Sequence, residues 1–268
     1  MKASKVMRTK GFGIVGLFVV VCLLAATGPV LWAKQSRSLS SEQAPELVHQ
    51  GILKANAGNL KKAVELFDAS LKASKGKNVK AWLNRGKVFL LQGHLDRALQ
   101  DLDKAIKLDS EDVDAYVIRG TVHRLRGDFS KAVKDLSKAV NLDPDNTEAL
   151  TNRAAVFFDI GDHEKALADL GRIIRLNPRM IRALGNRAYI FEQLGRYDDA
   201  IKDLSVIVAQ DPNYLMAIKH LGFIYRQKKE PGKAARWYRM ALKLENDQDA
   251  RRRLAEEIVD LEKKIRKH

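Results

Sequence analysis

From residue 44 to residue 248 the apolar side chains recur at the spacing of a single helix face, and glycine or proline interrupts them at short intervals. Setting NRGKVFLLQGHLDRALQDLDKAIKLD against IRGTVHRLRGDFSKAVKDLSKAVNLDP shows that the pattern returns every 34 residues. Six units follow, 44–78, 79–112, 113–146, 147–180, 181–214 and 215–248, each predicting two amphipathic helices and a short turn. Position 20 of the unit is always alanine: Ala63, Ala98, Ala132, Ala166, Ala200 and Ala234. Position 8 is Gly51, Gly86, Gly120, Ala154, Ala188 or Gly222. Helices cross closely only where side chains are small, so these two positions mark the crossing within each pair. Glycine at position 15, from Gly58 to Gly195, suits a left-handed C-cap. Pro144, Pro178 and Pro212 at position 32 stop the second helix. Residues 249–267 predict one more helix, with Leu254, Ile258, Leu261 and Ile265 on one stripe, which reads as a cap.

Two polar positions change together. Position 7 is Arg85, Arg119, Arg153 and Arg187 in the four middle units, and position 23 is Asp101, Asp135, Asp169 and Asp203 in the same four. The end units carry Gln50 with Leu66 and Leu221 with Trp237 instead. Each arginine is therefore expected to pair with an aspartate across packed helices, within its own repeat or with a neighbour. The planar guanidinium fork suits that contact.

The pattern resembles the tetratricopeptide repeat family, whose consensus runs W-x2-L-G-x2-Y, then alanine, an aromatic, alanine and proline. The resemblance covers residues 44–248, with Trp82, Phe89, Tyr116, Phe157, Leu184, Phe191, Tyr225 and Tyr238 filling the large apolar positions. It implies an all-α fold: a right-handed superhelical solenoid of six helix-turn-helix units with a C-terminal capping helix. Terminal units of such a stack are expected to be atypical. Lys54, Lys229 and Asn246 depart from the consensus in the first and last units. In this family the first helices line a concave face, and partner contacts fall at positions 2, 5, 9, 12 and 13. Carried onto this chain, those positions name Lys80, Leu83, Lys87, Val117, Thr121, Arg124, Thr151, Phe158, Asp159, Arg182, Glu192, Lys219, Phe223 and Arg226 as candidate partner-binding residues. Members that grip a chaperone's terminal carboxylate carry Lys at position 5 and Asn at position 9. Only Lys219 meets the first requirement, and Phe223 stands at its position 9. Asn84, Asn152 and Asn186 at position 6 match the general consensus and are assigned a structural role.

Ahead of the repeats the chain changes character. Lys2, Lys5, Arg8 and Lys10 precede an uncharged, mostly apolar run from Gly11 to Ala33, followed by a polar, serine-rich stretch over 34–43. Twenty-three residues can cross a bilayer core of about 30 Å, and the basic start holds the N-terminus inside. Residues 1–33 therefore read as a signal-anchor or a signal peptide, and 34–43 as a linker. The expected location is a membrane anchor with the repeats on the extracytoplasmic side, or a secreted or periplasmic protein if the segment is cleaved.

Charge and chemistry then narrow the function. The net charge is +15, but the six units carry +3, 0, +1, 0, −1 and +5, so the middle of the stack is neutral and the ends are basic. The alternative function is a helical-repeat nucleic-acid or acidic-surface binder using these basic ends, although a nucleic-acid binder of that kind needs a basic groove along the whole stack. With Cys22 as the single cysteine, no internal disulfide or thiolate metal site can form. His49, His94, His123, His163, His220 and His268 show no metal-ligand spacing, and no phosphate loop or nucleophile elbow occurs. The expectation is a scaffold that binds a protein or peptide partner, with no catalysis, no cofactor and no metal.

Overall fold

The computed structural model describes residues 40–266. The apolar run 11–33 lies outside the described residues, among which no helix is long and apolar enough to cross a membrane. Every regular element described is a helix, and the described residues divide into two compact units, one ending at Ala81 and the other beginning at Trp82.

In the first unit, α1 (Ala44–Asn56) and α2 (Leu60–Ala73) form a hairpin. Its close crossing depends on Gly51, where an added Cβ would stand 2.5 Å from the Phe67 ring. Phe67 and Ala63 are both fully buried beneath it. Burying such a ring stabilises by roughly 1.5–3 kcal/mol. The Ser70 hydroxyl donates to the Ala44 carbonyl at 2.8 Å and ties the end of α2 to the start of α1. Residues 41–43, read from the sequence as the end of a polar linker, form a 3-10 turn that the Ser40 amide closes by donating to Gln43 Oε1.

The division falls inside α3 (Val79–Leu91), whose partner is α4 (Leu95–Leu108). The second unit continues with α5 (Val113–Leu125) and α6 (Phe129–Leu142), then α7 (Thr147–Asp159) and α8 (His163–Leu176). Next come α9 (Ile181–Gln193) with α10 (Tyr197–Gln210), and α11 (Leu215–Gln227) with α12 (Pro231–Leu244). Local chemistry sets these bounds. Asp109, Asn177 and Asp211 leave their helices in extended conformation, and their side chains accept the amide two residues on. Asp112 and Asn146 then cap α5 and α7 by accepting the amides of Ala115 and Ala149. The turn after α9 uses Gly195 at a φ of 70°, whereas the turn after α11 forces Lys229 to 57°.

Packing follows the small residues. The position-20 alanines are all 0% exposed, and a Cβ on Gly120 or Gly222 would meet Leu136 at 2.7 Å or Tyr238 at 2.5 Å. One core of buried side chains extends from Val117 to Ile224. The last helix, α13 (Gln248–Arg266), lays Leu254, Ile258 and Leu261 over Ala234, Ala235 and Tyr238. Ile265, expected on the same stripe, stays 43% exposed one turn beyond Leu261.

Candidate functional site: a groove along the first helices

Four Arg/Asp pairs stiffen the hairpins that carry the groove. Arg85, Arg119, Arg153 and Arg187 each donate twice, at 2.7–2.8 Å, to Asp101, Asp135, Asp169 and Asp203. Each pair joins the two helices of one repeat. The four carboxylates are buried, and every guanidinium also lies over an aromatic ring of its own helix: Phe89, Tyr116, Phe157 or Phe191. The bonded carboxylate raises the guanidinium pKa further in Arg119 and Arg187. Arg119 also donates to Asp103 at 2.7 Å and Arg153 to Ser137 at 3.3 Å, both on the preceding repeat. Gly171 holds the corresponding place before Arg187, and a Cβ there would stand 3.9 Å from its Nη1.

The candidate residues are distributed unevenly. Leu83 and Val117 are core residues, 6% and 2% exposed, because position 5 of α3 and α5 points between packed helices instead of into open space. Lys80 is exposed and belongs to the first unit. Most of the charged candidates are committed to neighbours. Lys87 pairs with Asp114 at 3.4 Å, Arg124 with Asp159 at 2.5 Å, Glu192 with His220 at 2.7 Å and Arg226 with Glu257 at 2.5 Å. The first three bridge successive first helices, and the last joins α11 to α13. Lys219 pairs with Glu245 and holds its carboxyl below the usual range, with help from the Asp247 amide. Thr121 and Thr151 donate their hydroxyls to carbonyls of their own helices, at 2.8 and 2.6 Å. Phe223 is half-buried under the Arg226 guanidinium.

Phe158 and Arg182 remain, and each lines one of two adjoining cavities. The smaller, of 140 Å³, lies between α7 and α9 and is walled by Arg124, Thr151, Phe158, Asn186 and Tyr189 among others. The larger, of 540 Å³, lies among α9, α10 and α11, and its walls include Arg182, Gly185, Tyr189, Tyr214, Met216 and His220. Asn186 and Tyr189 face both. Gly185 explains the larger opening. It stands at position 5, which Leu83 and Val117 fill in earlier repeats, and the nearest atom to a Cβ there would be Ile207 Cδ1 at 3.9 Å. Over this space Tyr189, Tyr214 and Met216 are 44%, 37% and 57% exposed, and the Tyr189 ring lies 5.6 Å from that of Phe158.

Sequence reasoning did not single out Tyr189 and Met216, although they hold positions 9 and 2 of their repeats. Gly185 gave no signal because its contribution is a missing side chain, and Tyr214 sits at position 34, in the turn before α11 and outside the contact positions of the first helices. Asn186, assigned to structure, lies on the groove. The lining offers hydrogen-bond donors and aromatic surface. Among the described residues no group of three or more His, Cys, Asp or Glu could hold a metal ion.

Family models for the tetratricopeptide repeat match residues 79–112 and 151–214, and a TPR repeat model matches 120–161. Comparison with curated proteins gives no match. Among solved structures, MamA is 26% identical, with 60% of this chain and 94% of that one covered at a TM-score of 0.55. YrrB, described as a TPR protein with an unusual peptide-binding site, is 23% identical over 72% of this chain and 99% of its own, at 0.59. PilF of Pseudomonas aeruginosa is 15% identical over 81% and 98%, at 0.68. These last two likenesses speak for the fold alone.

Proposed function

Because the chain is a tetratricopeptide repeat protein, we propose that it is a non-catalytic scaffold holding a peptide segment of a partner protein over α7, α9 and α11. The observation that carries this reading is the cavity opened by Gly185 beneath exposed Tyr189, Tyr214 and Met216. Its 540 Å³ falls within the range of about 300–1,000 Å³ typical of ligand pockets. Large apolar side chains left in water beside an open cavity gain by covering each other with a ligand side chain. An extended or helical segment lying along the first helices fits that arrangement.

Gly185→Leu tests it cleanly. Leucine would fill the cavity as Leu83 fills position 5 of α3, and helix propensity favours leucine over glycine. The variant should keep or raise its melting temperature while losing the partner that co-purifies with the wild type from its native cells. An unchanged partner set at an intact fold would reject the groove.

The reading extends to residues 11–33 as an export signal or membrane tether. Resistance to alkaline carbonate extraction supports a spanning tether, and release into the soluble fraction rejects it. A nucleic-acid partner is disfavoured by how the C-terminal cations are spent. Lys228 pairs with Asp198, Lys233 with Glu230 at 2.6 Å and Arg239 with Glu262 at 2.5 Å. Nuclease treatment should therefore leave the captured partner in place.

A further inference from the structure

Charges around the groove are nearly all neutralised at short range. Arg124 on the smaller cavity is bonded to Asp159, and His220 on the larger one to Glu192. Arg182 differs. It is exposed, it lines the larger cavity, and among the described residues it forms no ion pair. No aspartate or glutamate lines either cavity. Apart from His220, whose Nδ1 is bonded to Glu192, the polar groups that line the larger one can all donate: the Arg182 guanidinium, the Asn186 amide and the hydroxyls of Tyr189 and Tyr214. Beside them stand Met216 and Ile181, with Ile207 below the gap left by Gly185.

We infer that this groove selects peptide segments in which a carboxylate stands next to a bulky apolar side chain. The inference rests on the groove reading above and supplies its specificity. An apolar side chain enters over Gly185, between Tyr189 and Met216, while a carboxylate one or two residues away meets Arg182 and Asn186. A guanidinium can engage a carboxylate with two parallel hydrogen bonds, and no nearby acid must be displaced first. A basic segment would instead place its cation against Arg182 with no carboxylate on the walls to receive it. The carboxylate can belong to an Asp or Glu side chain or to a chain terminus, since both present the same two oxygens.

The test uses the full-length protein and two displayed libraries of random decapeptides, one ending in a free carboxylate and one embedded between fixed linkers. The expected result is enrichment of a carboxylate within two residues of Leu, Met, Phe or Trp. Enrichment in both libraries assigns a side-chain carboxylate, and enrichment confined to the free-ended one assigns the terminus. Selected peptides should bind Arg182→Glu at least tenfold more weakly than wild type, and removing their carboxylate, by Asn or Gln in place of Asp or Glu or by amidating the terminus, should cost a similar factor. Arg182 is exposed, so the variant should melt where the wild type does. Selected peptides that are neutral or basic, or that bind Arg182→Glu undiminished, overturn the inference. If those same peptides fail on Gly185→Leu, the groove reading survives without its charge preference. Peptides that bind Gly185→Leu as tightly as wild type, or an empty selection from both libraries, sink the groove reading and this inference together.

Discussion

Each Arg/Asp pair brings a buried carboxylate into contact with a half-buried guanidinium, so removing one partner strands the other. Arg153→Ala leaves Asp169 buried and unpaired and should cost about 3–5 kcal/mol. Exchanging both, as Arg153→Met with Asp169→Leu, should come out nearly neutral because no charge is left to desolvate. Denaturant titration of the two variants and the completing single measures the coupling, and strict additivity would reject the pair as a unit. The sequence announced these residues but not their partners, for a plain reason. Arg119 stands sixteen residues after Asp103 and sixteen before Asp135, and it bonds to both. Glu245 makes a pH-dependent prediction. Its carboxyl, ordinarily titrating near 4.5, is lowered by Lys219 and by the Asp247 amide. A lowered folded pKa means that the contact stabilises above the ordinary value and is lost as pH falls through the lowered one. The difference in melting temperature between wild type and Glu245→Gln should therefore be full near neutrality and shrink in acid below about pH 4.5. A difference that persists unchanged at the lowest pH would contradict this.

Among the helices, the legible features were those written as a small side chain where two backbones cross. Alanine at position 20 and glycine or alanine at position 8 placed the packed faces, and the structure buries the alanines completely. The same logic separates two glycines that look alike in sequence. Gly222 of α11 lies against Tyr238, and Gly222→Ala should cost about 1–3 kcal/mol through overpacking. Gly171 of α8 has no atom nearer than 3.7 Å to an added Cβ, so Gly171→Ala should gain about 0.5–1 kcal/mol from helix propensity. Opposite shifts in thermal midpoint check the pair, and shifts of equal sign would refute the packing argument. The groove was less legible because register marks position 5 alike whether a side chain fills the space there or leaves it empty. Leu83 and Val117 share that position with Gly185, yet the first two are core and the third is a doorway.

Within the second unit, neighbouring repeats are joined by polar contacts that change along the chain. Arg119 reaches back to a carboxylate on Asp103, Arg153 to a hydroxyl on Ser137, and Arg187 faces the bare backbone of Gly171. Hydrogen exchange should detect this gradient, with amides near the α8–α9 contact opening more readily than those near α4–α5. Gly171→Asp should slow that exchange by giving Arg187 a second carboxylate. Equal rates at both places, or no response to the substitution, would dispose of the gradient. Repeat stacks store deformation in the joints between neighbours, so the joint that keeps only the longer Arg196–Glu164 ion pair at 3.7 Å is a softer coil of the spring than the one Arg119 and Asp103 close at 2.7 Å. Leu170, next to Gly171, forms part of the wall of the smaller cavity. The soft coil therefore coincides with the groove, and a bulky ligand side chain can be admitted by flexing one joint while the stiffer repeats beside it keep their spacing.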